Sequence, residues 1–152
     1  MACRFRFRVS ACLTAGLMIF LVHFLLVTPQ SATASSETIQ DSQYIAYYFL
    51  TNKRCGPCYR MEKWTETSIQ THFQQAIESG KLTWQTVNVE KPENKHYIDD
   101  FNLYTKSVVI VEQVQGETVR WKNLEKVWQL LGSQEKFSNY VTESIQIFME
   151  KG

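Results

Sequence analysis

Two cysteines separated by two residues, Cys55-Gly56-Pro57-Cys58, stand where an apolar run gives way to an amphipathic stretch. This junction constrains the chain more than any other feature. Tyr44-Ile45-Ala46-Tyr47-Tyr48-Phe49-Leu50 is continuous and rich in aromatic residues, the pattern of a central strand buried on both faces. Thr51-Asn52-Lys53-Arg54 is a short polar loop. From Gly56 to about Ser79, Tyr59, Trp64, Ile69, Phe73, Ala76 and Ile77 recur at roughly helical spacing. Pro57 fits a first helical turn, where a missing N–H costs nothing. The cysteine pair therefore lies at the passage from a buried strand into a helix.

The rest of the chain supplies a frame for that unit. Gly80 is a plausible helix stop. Leu82 to Val89 alternates and reads as a strand, broken by Glu90 to Asn94 with Pro92. Lys95 to Phe101 suits a short helix. Ser107-Val108-Val109-Ile110-Val111 is a second buried strand, and a turn at Gln115-Gly116 joins it as a hairpin to Glu117-Thr118-Val119-Arg120-Trp121. Leu124 to Leu131 suits a short helix closed by Gly132. Phe137, Tyr140, Val141, Ile145 and Phe148 mark one face of a final helix. A strand–helix–strand unit favours parallel pairing by a right-handed crossover, and the hairpin adds antiparallel strands. The expected fold is α/β, a mixed sheet of about four strands with helices on both faces. No internal repeat or low-complexity block is present.

The front of the 152-residue chain is different. Arg4, Arg6 and Arg8 precede an almost wholly apolar run, Val9 to Val27, and Ala32-Thr33-Ala34 offers the small residues an export peptidase accepts. This is a signal-peptide pattern. Its 19-residue core is also just long enough to span a bilayer, so residues 1–34 read as a cleaved signal peptide or as an N-terminal anchor through residues 9–27. In either case the remainder is exported, periplasmic or extracellular. Val9-Ser10-Ala11-Cys12 has the residue types of a lipidation box but precedes most of the apolar core it should end, and Cys3 and Cys12 read as ordinary residues of the export segment. Residues 35–42 are polar and small, a linker, and 43–152 form one domain.

Charge and cysteine content exclude several classes. The three arginines of the export segment leave thirteen Lys and Arg against fifteen Asp and Glu beyond residue 34, a formal charge of −2. That is no footprint for nucleic acid. Exported small domains often staple themselves with several disulfides. This one keeps only Cys55 and Cys58, whose ring is too small to remove much chain entropy, so packing must supply stability. Zinc normally takes four ligands and there is no second cysteine pair. His72, four helical turns from Cys58, is too far to complete a site, and His96 lies on another element. Haem attachment needs His after the second Cys, where Tyr59 stands. No metal and no cofactor are implied. Trp64, Trp84, Trp121 and Trp128 read as core or groove-lining residues.

What remains is thiol chemistry. The thiolate is the nucleophile, and Cys55 at a helix N-terminus is favoured as an anion by unpaired N–H groups and the helix dipole. Lys53 and Arg54 add positive charge. Cys58, one turn inside, is the more buried of the two. Cys55 is therefore the candidate nucleophile and Cys58 the resolving thiol, with Gly56 and Pro57 shaping the loop between them.

Cys-Gly-Pro-Cys after a buried strand and before a long helix resembles the thioredoxin family. The resemblance extends in element order over roughly residues 42 to 149. Val87-Asn88-Val89-Glu90 before Pro92-Glu93-Asn94, and Phe101-Asn102-Leu103-Tyr104 leading into Val108-Val109-Ile110-Val111, are similar to that family's later strands and turn. The resemblance implies a thioredoxin-like three-layer fold. Three positions depart from it. Arg54 stands where the family has Trp, and Phe49, six residues before Cys55, where it has a buried Asp. Lys106 and Ser107 stand at the family's cis-proline; a cis bond without proline costs about 2.5–4 kcal/mol, so a trans bond is expected there.

The reading is an extracytoplasmic thiol–disulfide oxidoreductase with a redox-active CXXC disulfide. Gly-Pro between the cysteines resembles the reducing end of the family, where thioredoxin lies near about −270 mV. Its clients would be disulfide-containing exported proteins, gripped in a groove of Tyr59, Trp64, Tyr104, Lys106 and Ser107, and its electrons would come from a membrane thiol donor. The alternative is a non-catalytic module of the same fold that binds a peptide or a metal.

Overall fold

In the computed structural model, which describes residues 42–151, the apolar run becomes β1 (Ser42–Leu50), the central strand of the sheet. It takes Ser42 from the expected linker; the remainder of that linker and the export segment lie outside the described residues. β1 pairs in parallel with β2 (Leu82–Asn88) on one side and antiparallel with β3 (Ser107–Val114) on the other. β4 (Glu117–Asn123) closes the order β2-β1-β3-β4. The chain reaches β2 through α1 (Gly56–His72) and α2 (Gln74–Glu78). A 3-10 turn, Pro92–Asn94, and α3 (His96–Asp100) lead on to β3. A second 3-10 turn, Glu125–Trp128, precedes α4 (Gln134–Glu150). This is a thioredoxin-like α/β fold, a four-stranded mixed sheet flanked by helices.

Strand side chains alternate between faces, and β1 supplies both layers. Tyr44, Ala46 and Tyr48 join Val108, Ile110 and Leu82 against α1 and α4, with Met61, Ile69, Phe137, Val141 and Ile145. Tyr47 and Phe49 join Val109 and Val111 on the opposite face, covered by Phe101 and Tyr97 of the α3 region and by Trp121 of β4. That second core is a stack of aromatic rings. Phe49 lies 5.3 Å from Tyr97 and 5.5 Å from Phe101 between ring centroids.

Three local features differ from the sequence reading. The long helix breaks at Phe73, whose backbone leaves the helical region (φ −125°, ψ 28°). The break lets Phe73, Ala76 and Ile77 rest on the main core. The stretch from Leu124 to Leu131 forms only the 3-10 turn, which buries Leu124 and Val127. The buried face of α1 is also more polar than expected. It presents Cys58, Met61, Thr65, Ser68 and Ile69, while Tyr59 points outward. Thr65 and Ser68 satisfy themselves by donating to the carbonyls one turn back, Met61 O at 2.7 Å and Trp64 O at 2.6 Å. Their small size suits the seam with α4, where the Ser68 and Ser138 hydroxyls lie 2.9 Å apart.

The hairpin turn at Gln115-Gly116 has both φ values positive, 56° and 86°, as the tightest right-twisted hairpins require. No described peptide bond is cis, so the link into Ser107 is trans, as expected of a bond without proline.

Candidate functional site

Cys55 ends the loop after β1 and caps α1. Its backbone is extended (φ −133°, ψ 160°), and its sulfur accepts a hydrogen bond from the Cys58 N–H at 3.3 Å. The sulfur thus takes the place a Ser or Asp oxygen fills at an ordinary helix start, at the positive end of the helix dipole. Pro57 lies in the first turn and leaves no N–H unpaired there. Cys55 and Cys58 are joined as a disulfide, with Cα atoms 5.0 Å apart. Cys55 is exposed and Cys58 is fully buried, at 0%. A Cβ added at Gly56 would meet nothing within 4 Å, so the surface beside the outer sulfur is uncovered.

The loop is tied down from the β2 side. Val89 N–H donates to Leu50 O at 3.0 Å, and Asn52 N–H donates to Glu90 Oε2 at 2.7 Å. The Asn88 amide donates to Asn52 Oδ1 at 2.7 Å. The stretch Asn88-Val89-Glu90 therefore works as a buttress that fixes where α1 begins. Thr51 Oγ1 adds a bond to Lys53 O at 3.2 Å.

The basic residues behave differently from each other. Lys53 is exposed. Arg54 is folded in: its guanidinium is paired with the Glu62 carboxylate and lies 4.3 Å from the Tyr59 ring centroid. The side chains of Arg54 and Glu62 are only 21% and 25% exposed, and Arg54 Nε, buried, finds no partner among the described residues. Arg54 is therefore no free cation beside the sulfur. It is half of an enclosed ion pair, and sequence reading alone had not foreseen Glu62. The signal was present, since Glu62 follows Cys58 by four residues and so shares its helix face.

Beneath the pair, the buried Tyr48 hydroxyl donates to Cys58 O at 3.0 Å. Burial pushes the Tyr48 phenol up to about 12, with Arg54 pulling it down and Glu62 pushing it up. Both charges are thus felt under the inner cysteine. Phe49, where the resemblance would place an acid, is buried among aromatic rings on the other face of the sheet.

The expected groove is assembled only in part. Tyr59 is 57% exposed and lies under the Arg54 guanidinium. Ser107 is buried and pairs in register with Phe49, so β3 begins at the sheet end that carries the disulfide loop. Its hydroxyl is turned back to Thr105 O at 3.0 Å. Tyr104 is 86% exposed. Lys106 is half-buried, and its carbonyl accepts from the Trp128 indole N–H at 2.8 Å. Trp64 is half-buried. Its ring packs edge-on against Phe137, 5.6 Å away, in the seam between α1 and α4, because position 64 faces α4 once Met61 and Ser68 face the core. Among the described residues no cluster of three or more His, Cys, Asp or Glu side chains is placed to hold a metal. His72 and His96 are both exposed. No described helix is long and apolar enough to cross a membrane.

No family model matches the chain, and no curated protein matches it. Two solved structures are similar in part. One, described as the structure of a malarial protein, is 16% identical and is matched over 53% of this chain and 80% of that one, with a TM-score of 0.33. The other is described as thioredoxin-2, a component of the malaria parasite protein secretion machinery. It is 16% identical and is matched over 60% of this chain and 82% of that one, with a TM-score of 0.34. Likeness at that level says nothing of activity. The fold follows from the strand order, the parallel β1–β2 pair and the disulfide at the start of α1.

Proposed function

We propose that this protein is an extracytoplasmic thiol–disulfide oxidoreductase that reduces disulfides in exported proteins. The observation that carries the reading is the asymmetry of the pair, an exposed Cys55 at a helix cap bonded to a fully buried Cys58. In the reduced protein the Cys55 thiolate attacks a client disulfide. A bond forms between Cys55 Sγ and one client sulfur, and the other client sulfur leaves as a thiolate. Cys58, deprotonated in turn, attacks Cys55 Sγ and releases the first client sulfur. The client gains two electrons and two protons, and the chain is left as the Cys55–Cys58 disulfide. A dithiol donor returns the electron pair by the same exchange in reverse. With the chain proposed to act outside the cytoplasm, that donor is proposed to be a membrane thiol protein.

A binding module of the same fold would not need two sulfurs in this arrangement. The test is reduction of insulin by dithiothreitol with wild type and with Cys55→Ser. Wild type should accelerate precipitation and Cys55→Ser should not. Equal rates would remove the enzyme reading.

A further inference from the structure

We propose that Glu62 is a positioning residue that takes the Arg54 charge away from the Cys55 sulfur and so holds the couple toward the reducing end. The inference rests on the exchange reading of the Cys55–Cys58 pair.

Arg54 directly precedes the cap residue, so an unpaired guanidinium there would stabilise a Cys55 thiolate together with the helix N-terminus. Stabilising the reduced form is what makes a dithiol couple oxidising. This chain has the opposite arrangement. The guanidinium crosses the first turn of α1, lies over Tyr59 and meets the Glu62 carboxylate. Enclosure of both side chains limits screening by solvent, so the pair is not the loose surface contact whose worth is near zero. The net charge offered to the sulfur is then close to that of a neutral dipole. Cys55 keeps the help of the helix N-terminus and loses most of the help of the arginine.

Glu62 lies one turn beyond Cys58 on the same helix, so α1 fixes its position relative to both sulfurs. Phe49 supplies no acid here and the Glu90 carboxylate is taken up by the Asn52 N–H, so Glu62 is the carboxylate that meets Arg54. Its contact is with Arg54, and while the pair is intact its action on the sulfur passes through that contact.

The signs can be separated by experiment. Glu62→Gln should free the Arg54 charge, lower the Cys55 thiol pKa and shift the glutathione equilibrium about tenfold toward the dithiol, which is about 30 mV less negative for a two-electron couple. Arg54→Gln should shift it about tenfold the other way, because the Glu62 charge, one turn beyond Cys58, is then left uncompensated. The double variant should return to within about twofold of wild type. A merely structural role would loosen the loop in both single variants and move both in the same direction. The proposal is overturned if Glu62→Gln leaves potential and iodoacetamide pH profile unchanged, or moves them in the same direction as Arg54→Gln. These readings do not depend on turnover. A wild type no better than Cys55→Ser in the insulin assay would sink the enzyme reading and leave the charge test standing by itself.

Discussion

Replacing Arg120 with Leu should cost the fold about 3 kcal/mol at pH 7, and the cost should shrink in acid. Tyr44, Glu112 and Arg120 stand opposite one another in register on β1, β3 and β4. Glu112 is only 4% exposed, on the sheet face packed by α4. Arg120 Nε donates to Glu112 Oε2 at 2.8 Å, and Nη2 approaches the same oxygen at 2.6 Å while donating to Phe148 O at 2.8 Å. The guanidinium also lies 3.9 Å from the Phe148 ring centroid. Tyr44 donates its hydroxyl to Glu112 Oε1 at 3.3 Å. Removing one partner of a buried ion pair costs about 3–5 kcal/mol, because the other charge is left unpaired. Arg120 is a third exposed at its side chain, which sets the expectation at the lower end.

Acid should reveal the cause. Burial pushes the Glu112 carboxyl up, but hydrogen bonds from Arg120, Ser42 and Tyr44 and the Arg120 charge outweigh it and hold the group below its ordinary value. A depressed carboxyl stabilises the fold above the unfolded-state pKa, and that contribution is lost as pH falls through the folded-state pKa. In Arg120→Leu the Arg120 hydrogen bond and charge are gone, burial is opposed only by the Ser42 and Tyr44 hydrogen bonds, and the carboxyl rises from its depressed value. The two proteins should therefore converge as pH falls into and through the carboxylate range. In urea melts of the full chain followed by tryptophan fluorescence, a slope of about 1.5 kcal/mol per M puts the midpoint about 2 M lower at pH 7. A double variant, Glu112→Leu with Arg120→Leu, should recover much of the loss. A cost below about 1 kcal/mol, or one that does not change with pH, would refute the reasoning.

Two other outcomes follow from the site. Cys58→Ala should trap clients on Cys55 as stable mixed disulfides, visible on non-reducing gels. Trapping that instead requires Cys58 would reverse the two roles. Tyr48→Phe removes one hydrogen bond to a carbonyl already inside a helix, so it should cost about 1 kcal/mol in urea and leave the alkylation profile of Cys55 in place. A loss as large as that of Arg120→Leu would mean the hydroxyl holds the start of α1 rather than merely touching it.

The order of elements was legible because each strand in this chain is either continuously apolar or punctuated by residues with one meaning. Gln115-Gly116 can only turn, Pro92 cannot continue a strand, and Pro57 after Cys55 can open a helix but not sit within one. The faces of α1 were less legible. Its inner face includes Thr65 and Ser68, which count as polar in any periodicity, while Tyr59 and Trp64 count as apolar and serve as a stacking partner and a seam residue. A helix that satisfies its buried hydroxyls on its own carbonyls carries a weakened amphipathic signal.

Charge was the least legible property. A sequence shows that Arg54 precedes Cys55 but not that its guanidinium turns away, and Glu112 looks like any strand glutamate until the register sets it between Tyr44 and Arg120. The two cases have one cause. An ionised side chain is assigned its full charge when read along the chain, whereas in the folded protein its field depends on what is packed against it. In this fold the two ion pairs serve opposite ends of one sheet layer. One neutralises a carboxylate where packing needs it, and the other neutralises a cation next to the cysteine pair. The same physical device bears on stability at Glu112 and, in the proposal made above, on the redox poise of Cys55. The two can be perturbed independently, because Arg54 and Arg120 share no partner.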